Sequence, residues 1–220
     1  DALSQALDWP PLSGQLDGRI PKVHYAHGKA VLDGELVMDV FGGRVIVDGL
    51  QVQELMGVAP VLETRLRLQN LDLAQITNTF SFGRIEGLLN GEIDDLQLVG
   101  WQVNRFKAGI RTPDKQKNRR RISQRAIDNL TSMGTGASAG LSGTALRMFK
   151  DFAYDQIALE VDLVGAMATL DGIPYKDGGY YIVKGAGLPR IDVIGRTREI
   201  AWKDLLSRIQ EARFDDMVVE

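Results

Sequence analysis

Cysteine is absent from this chain of 220 residues, which excludes disulfide bonds, thiolate metal ligands and cysteine nucleophiles. Histidine is scarce: His24 and His27 are the only two, and in a strand a spacing of three places them on opposite faces, where they cannot share a metal ion. Adjacent carboxylates such as Asp94 and Asp95 likewise point apart in a strand and make poor acid–base partners. We therefore predict no metal site, no cofactor and no enzymatic activity.

Long apolar runs and a strong charge of one sign are also missing. No window of about 18 uncharged apolar residues occurs, so we expect no membrane-spanning helix. The 26 basic and 29 acidic residues nearly balance, leaving a net charge of −3. Bulk electrostatic attraction to nucleic acid or to an anionic membrane is therefore not expected.

Glycine, by contrast, is abundant, with 24 residues, and it forms part of a repeated pattern. The stretch "LSGQLDGRIPKVHY" from Leu12 matches "IEGLLNGEIDDLQL" from Ile85, and both contain apolar-x-Gly-x-Leu-x-Gly-x-Ile. In each copy the glycines share the parity of the apolar residues, where a strand glycine allows a bend, a bulge or a close backbone approach. One copy would favour an ordinary bulge in a sandwich, whereas two matched copies favour deliberate curvature of a sheet.

An apolar–polar alternation of period two runs through residues 1 to about 110 and predicts antiparallel strands with one apolar face. It is clearest in "ETRLRLQNLDL", where Arg65 and Arg67 would face water. In "GELVMDVFGGRVIV" the alternation continues on both sides of a predicted turn at Gly42 and Gly43. The apolar face of this first half is predicted to carry Leu36, Met38, Val40, Val45, Val47, Leu66 and Leu68.

Residues 111–220 are predicted to add helices and further strands to the same domain. Ser123 is a suitable N-cap for a helix whose apolar stripe contains Ile127, Leu130 and Met133. Two more apolar stripes predict helices, one with Leu141, Ala145, Leu146, Phe149 and Phe152, the other with Trp202, Leu205, Leu206 and Ile209. The strand pattern of "QIALEVDLVG" adds Ile157, Leu159, Val161 and Leu163 to the apolar face.

The predicted fold is therefore mainly β with helices (α+β). A long curved antiparallel sheet forms an open apolar groove, and two or three helices pack on it near the C-terminal end. Residues 1–110 supply the glycine-bracketed strands, and residues 111–220 supply helices and strands that complete the same groove.

A basic run, "KQKNRRRISQR", precedes the first predicted helix of the second half. Such a run is most often a solvated or structural segment. The alternative is contact with lipid headgroups, since each basic residue near a membrane adds about 1 kcal/mol of attraction to anionic lipid. The residues that would make it are Lys117, Arg119, Arg120 and Arg121. Nucleic acid is not an expected partner, because no aromatic residues interleave with the run as stacking platforms.

Three stretches together resemble a known family. "SFGRIEGLLNGEIDDLQLVGW", "RRRISQRAIDNLTS" and "YIVKGAGLPRIDVIG" are similar to the C-terminal region of the YdbH branch of the AsmA-like bacterial envelope proteins, which resemble bridge-like lipid transporters. The likeness runs from about Leu12 to Ile209, and the middle motif is the most specific of the three. The chain departs from the family pattern in "WQVNRFKAG", where a proline is expected at position 103 or 104.

The resemblance implies a segment of a longer periplasmic protein whose inner-membrane anchor is absent from this chain. Such proteins carry phospholipids between the inner and outer membranes in an apolar β-groove, and no catalytic residues are carried over. The implied partners are phospholipid acyl chains and a small outer-membrane lipoprotein that adds a strand at the sheet edge. An alternative function is a structural module that docks the lipoprotein without itself carrying lipid.

Overall fold

A computed structural model of the chain describes residues 14–15, 22–114, 119–135 and 149–214. Within these ranges sixteen strands form one open sheet in which the paired strands are antiparallel. The first half of the chain contributes β1 (Gly14–Gln15), β2 (Lys22–Ala26), β3 (Lys29–Asp33), β4 (Leu36–Val40), β5 (Gly43–Gln53), β6 (Val61–Asp72), β7 (Ile85–Glu86), β8 (Leu88–Val99) and β9 (Gln102–Arg111). The second half contributes β10 (Arg121–Ser123), β11 (Asp151–Val164), β12 (Met167–Asp171), β13 (Ile173–Pro174), β14 (Tyr180–Gly185), β15 (Val193–Gly195) and β16 (Glu199–Ala201).

Three helices accompany the sheet in the described residues: α1 (Leu73–Thr79), α2 (Gln124–Thr135) and α3 (Trp202–Phe214). A short 3₁₀ turn spans Lys176–Gly178. The predicted fold class, a mainly β structure with an open antiparallel sheet and helices near the C-terminal end, is confirmed. None of the helices is both long and apolar enough to cross a bilayer, as far as the described ranges go.

The longest strand, β11, belongs to two parts of the sheet. Its C-terminal half pairs with β9 and β12, whereas its N-terminal half pairs with β10 and β14. Thr112 lies where β9 leaves β11, and it is fully buried. Its backbone N–H donates to the Ile157 carbonyl at 2.9 Å, and its Oγ1 accepts the Ile157 N–H at 3.1 Å. The threonine thereby replaces the ladder partner that the departing strand no longer provides.

Irregular positions in the central strands keep the apolar residues on one face. The pairing of β6 with β8 shifts near Asp95 and again near Asn70, and both residues have positive φ (53° and 51°). Each shift adds one residue to one strand, which is the definition of a β-bulge. Because of the first bulge, Ile93 and Leu96 face the same side although an odd number of residue steps separates them.

The second copy of the glycine repeat contains one glycine at a bend of the chain and one at a position of close approach, as the pattern predicts. Gly87 has φ 141° and separates β7 from β8, so the chain changes pairing partner there, from β10 to β6. At Gly91 a Cβ atom would lie 2.8 Å from Ile110 Cγ2 and 3.3 Å from Leu68 Cδ1. These two side chains therefore close over the glycine on the apolar face. Most of the first copy, including Gly18, lies outside the described residues.

The helix predicted after Ser123 is confirmed as α2. The Ser123 hydroxyl accepts the Ala126 backbone N–H at 3.3 Å, which is the predicted N-cap bond. Ile127 is 2% exposed and Leu130 is 9% exposed, so the predicted stripe faces the core.

Two details of the other predicted helices are wrong. Phe152 lies in β11 opposite Ile122 and is 2% exposed, because it alternates with the equally buried Tyr154 as part of a strand. The earlier part of that predicted helix, Leu141–Leu146, lies outside the described residues. In α3 Leu206 is 38% exposed, since the buried stripe runs through its neighbour Leu205.

Helix α1 was not predicted, because residues 1 to about 110 were expected to contain strands alone. Asp72 caps it, with Oδ1 accepting the N–H groups of Ala74 at 2.8 Å and Gln75 at 3.3 Å. The Leu73 N–H donates to the Gly87 carbonyl at 3.0 Å, so the first turn of the helix is also fixed by the glycine bend.

Candidate functional site

Eight of the eleven residues predicted to line a groove lie in two rows that run across the strands on one face of the sheet. Each row consists of residues directly opposite one another on neighbouring strands. The Leu66 row contains, from β4 to β12, Leu36, Val47, Leu66, Ile93, Ala108, Val161 and Leu170. The Leu68 row contains, from β4 to β11, Met38, Val45, Leu68, Gly91, Ile110 and Leu159. Residues from both halves of the chain thus share a single apolar face.

The remaining three predicted lining residues lie at the ends of this face. Val40 ends β4 opposite Gly43 and packs against the core. Leu163, opposite Phe106 in the sheet, is 0% exposed, and Ile157 is 6% exposed at the branch of β11. Leu163 and Ile157 are therefore part of the packed core.

Coverage of the apolar face changes along the rows. At the β11 end, α2 and α3 lie over the face, and Leu159 and Val161 pack against the core together with Trp202 and Ile209. At the β4 end, Leu36, Met38 and Leu66 are half-buried, whereas Val47, between Leu36 and Leu66 in its row, is 8% exposed. Among the described elements, no helix makes an extensive contact with β4 or β5.

An apolar cavity of about 130 Å³ lies between the sheet and the two C-terminal helices. Every residue that lines it is apolar: Phe106, Leu130, Met133, Leu159, Val161, Leu170, Ile182, Trp202, Leu205 and Ile209. The Trp202 ring meets the Phe106 ring edge-on, with 5.5 Å between the centroids. The Arg208 guanidinium donates to the Met133 carbonyl at 3.2 Å and so holds α3 against the end of α2.

The opposite face of the sheet is charged. The Arg65 Nε lies 2.6 Å from Asp94 Oδ1, and its guanidinium also lies 4.0 Å from Asp48 Oδ2. Farther along the same line, Lys107 is opposite both Asp94 and Asp162. Cations and carboxylates therefore alternate from strand to strand, an arrangement of favourable cross-strand pairs on a solvated surface.

A second depression, of about 1070 Å³, is on this charged face and extends from β6 to β13. It is bordered by both signs of charge, including Arg67, Glu92, Lys107 and Asp162. Mixed and solvated charges do not select a ligand of one sign or an apolar ligand. We therefore place the candidate site on the smaller but uniformly apolar surface.

The basic run is partly used by the protein itself. The Arg120 side chain donates to the carbonyl oxygens of Pro113 and Asp155, and it is only 16% exposed. The Arg121 guanidinium donates to the Asp151 carbonyl at 3.3 Å. Of the four predicted headgroup contacts, only Arg119 is exposed in the described residues, and Lys117 lies outside them.

Three ionisable groups with shifted pKa values act in the framework. Burial raises the pKa of Tyr180 to about 12, and its hydroxyl donates to the Thr197 carbonyl at 3.0 Å. Burial also raises the pKa of Tyr154, whose hydroxyl donates to the Glu86 carbonyl at 2.7 Å. The hydrogen bond from Arg198 lowers the pKa of Asp171. Each group is in the charge state that its partner requires at neutral pH.

Strand β2 forms an edge of the sheet near the start of the chain, since among the described strands it pairs only with β3. Its residues are all exposed, including Val23 at 63% and Tyr25 at 62%. An edge of this kind presents unpaired backbone groups.

The cavity was not predicted from the sequence, because its walls come from segments that are far apart in the chain. The apolar pattern of each segment by itself predicts only ordinary core packing. The alternation did identify Leu159 and Val161, and the helix stripes identified Leu130 and Trp202. Comparisons with family models, with curated proteins and with solved structures found no match to this chain.

Proposed function

We propose that this chain is a segment of a periplasmic bridge-like protein that carries phospholipid between the inner and outer membranes along the apolar face of its sheet. The observation that supports the proposal is the continuity of the Leu66 row across β4, β5, β6, β8, β9, β11 and β12. With about 4.8 Å between neighbouring strands, the row extends roughly 29 Å, and its part from β4 to β9, outside the two C-terminal helices, extends roughly 19 Å. One leaflet of a bilayer has a hydrocarbon thickness of only about 15 Å. The row is therefore long enough for an extended acyl chain.

Acyl chains are ligands without directional groups, so an apolar surface alone can hold them. Each methylene removed from water contributes about 0.8 kcal/mol. The charged outer face supports the same function, because it keeps one side of the sheet in water while the other side is free to contact lipid.

The proposal is tested by native mass spectrometry and lipid extraction on the protein purified gently from a bacterial envelope fraction. We expect near-stoichiometric phospholipid on the wild-type protein and its loss in Leu66→Asp, which places a charge in the middle of the row. A matched control is Gln69→Asp, on the same strand but facing the charged side. It should retain the lipid.

Circular dichroism establishes that the variants are folded, and Leu66→Thr provides a milder change if Leu66→Asp is not. Wild-type protein without lipid would contradict the proposal. So would equal lipid content in folded Leu66→Asp and Gln69→Asp.

A second candidate function is a docking module that adds a strand from a small outer-membrane lipoprotein and carries no lipid. The exposed edge of β2 is the observation that favours it. Strand addition depends on backbone hydrogen bonds, so Val23→Pro should abolish binding of an extended peptide partner. A lipid-free wild-type protein whose partner binding is lost in Val23→Pro would favour docking over transport.

A further inference from the structure

The apolar cavity beneath α2 and α3 has properties of a binding site that the sheet face alone does not have. Its lining residues are all apolar, and they come from β9, β11, β12, β14 and both helices. Apart from the indole N–H of Trp202, their side chains carry no hydrogen-bond donor and no oxygen or nitrogen acceptor. Water in such a cavity would lack the two to four polar partners that it needs.

The size of the cavity indicates how much of a ligand it can accept. At about 130 Å³ it is slightly smaller than apolar cavities of about 150 Å³ that stay dry and bind benzene. By that comparison it accepts roughly five carbon atoms. This is too little for a whole acyl chain and suits the end of one.

The position of the cavity connects it to the two apolar rows. Val161 and Leu170 belong to the Leu66 row, Leu159 belongs to the Leu68 row, and all three also line the cavity. An acyl chain that lies along either row and points from β6 towards β11 therefore enters the cavity with its leading end. Leu130 of α2 and Leu205 of α3, which are buried, form the wall of the cavity on the side of the helices.

We propose that this cavity binds the methyl end of a phospholipid acyl chain and sets how far the chain can advance along the sheet. The inference rests on the proposed function, since it assumes that lipid occupies the rows. The ester end of the chain then lies towards β4 to β6, where Leu36 and Leu66 are half-buried. Met133 adds adaptability to the wall, because its unbranched side chain can adjust to chain ends of different shape.

Trp202 provides a reporter inside the cavity. The chain has two other tryptophans, Trp9 and Trp101. Trp101 lies in the turn between β8 and β9, is 59% exposed, and does not line the cavity. In the Trp9→Phe/Trp101→Phe variant, fluorescence therefore comes from Trp202 alone.

The test uses phosphatidylglycerol with bromine either near the methyl end or near the ester end of one acyl chain. Bromine quenches tryptophan emission only at close range. We expect loss of most of the Trp202 emission with the methyl-end lipid and little loss with the ester-end lipid. Native mass spectrometry of the same samples establishes that each lipid is bound.

A cavity-filling variant makes the test specific. Val161→Phe should abolish quenching by the methyl-end lipid while phospholipid remains bound along the rest of the face. The matched control is Glu160→Phe, on the same strand as Val161 but on the charged face, which should leave the quenching as in the wild type. If Val161→Phe does not fold, Val161→Leu fills the space by one carbon and should reduce the quenching.

Equal quenching by the two lipids, or quenching by neither while lipid is bound, would overturn the cavity inference and leave the proposed function intact. A wild-type protein that binds no phospholipid at all would refute both. Quenching that persists undiminished in folded Val161→Phe would also overturn the inference.

Discussion

Replacing Thr112 by valine removes one hydroxyl from the branch point of the sheet with almost no change of shape. The side chain is fully buried, and its Oγ1 accepts the Ile157 N–H at 3.1 Å. Without that acceptor, a buried backbone donor is left unsatisfied, which costs about 1–3 kcal/mol. The methyl group that replaces the hydroxyl recovers up to about 0.8 kcal/mol by apolar burial. We expect Thr112→Val to lower the free energy of unfolding by roughly 0.5–2 kcal/mol.

Urea denaturation monitored by circular dichroism measures the effect, as a lower midpoint with an unchanged m-value. Thr64→Val is the matched control: the Thr64 hydroxyl donates to the Asp48 carbonyl at 3.0 Å, but the bond is only part-buried. Its loss should cost less, because water can replace the donor. Thr112→Ser keeps the hydroxyl and should retain more stability than Thr112→Val. Equal stability of Thr112→Val and the wild type would refute the reasoning.

Two further predictions concern a glycine pair and a tyrosine. Gly91→Ala should destabilise the fold by about 1–3 kcal/mol, because its Cβ would meet Ile110 and the Gly109 carbonyl, both at 2.8 Å. Gly109→Ala has open space at the Cβ position, so thermal unfolding should distinguish the two variants, and similar melting temperatures would contradict the packing argument. For Tyr180, burial raises the pKa to about 12 from 10.0, so stability should be full below pH 10 and decrease as the pH rises towards 12. Urea titrations across this pH range should show a shallower decrease of the free energy of unfolding for Tyr180→Phe than for the wild type. An identical pH dependence of the two proteins would refute the role of Tyr180.

The strands and their apolar face could be predicted because they depend on local alternation. Leu66 and Leu68 flank an arginine that faces water, and the register places both in rows with residues from other strands. The N-cap at Ser123 was equally readable, since it needs only the residues that follow it. These features are fixed by neighbours in the chain.

The features that escaped prediction depend on distant partners. The alternation of β6 runs directly into α1, and only the side-chain bonds of Asp72 mark the change. Phe152 fits a helical stripe as well as a strand, and pairing with β10 decides between them. Nothing near Thr112 in the sequence indicates Ile157 as its partner. The cavity, likewise, exists only once α2 and α3 meet the sheet.

Because β11 pairs with β9, the order of synthesis leaves part of the sheet unpaired for a time. Arg105 of β9 pairs with Val164, so the β11-facing edge of β9 stays unpaired until β11 has been synthesised. At about 5–20 residues per second the wait is roughly 3–12 s. An unpaired edge is a template for association with other chains, and basic side chains along it discourage that. We therefore expect the exposed Arg105, Lys107 and Arg111 of β9 to discourage aggregation of the unfinished sheet before they join the charged face of the folded protein.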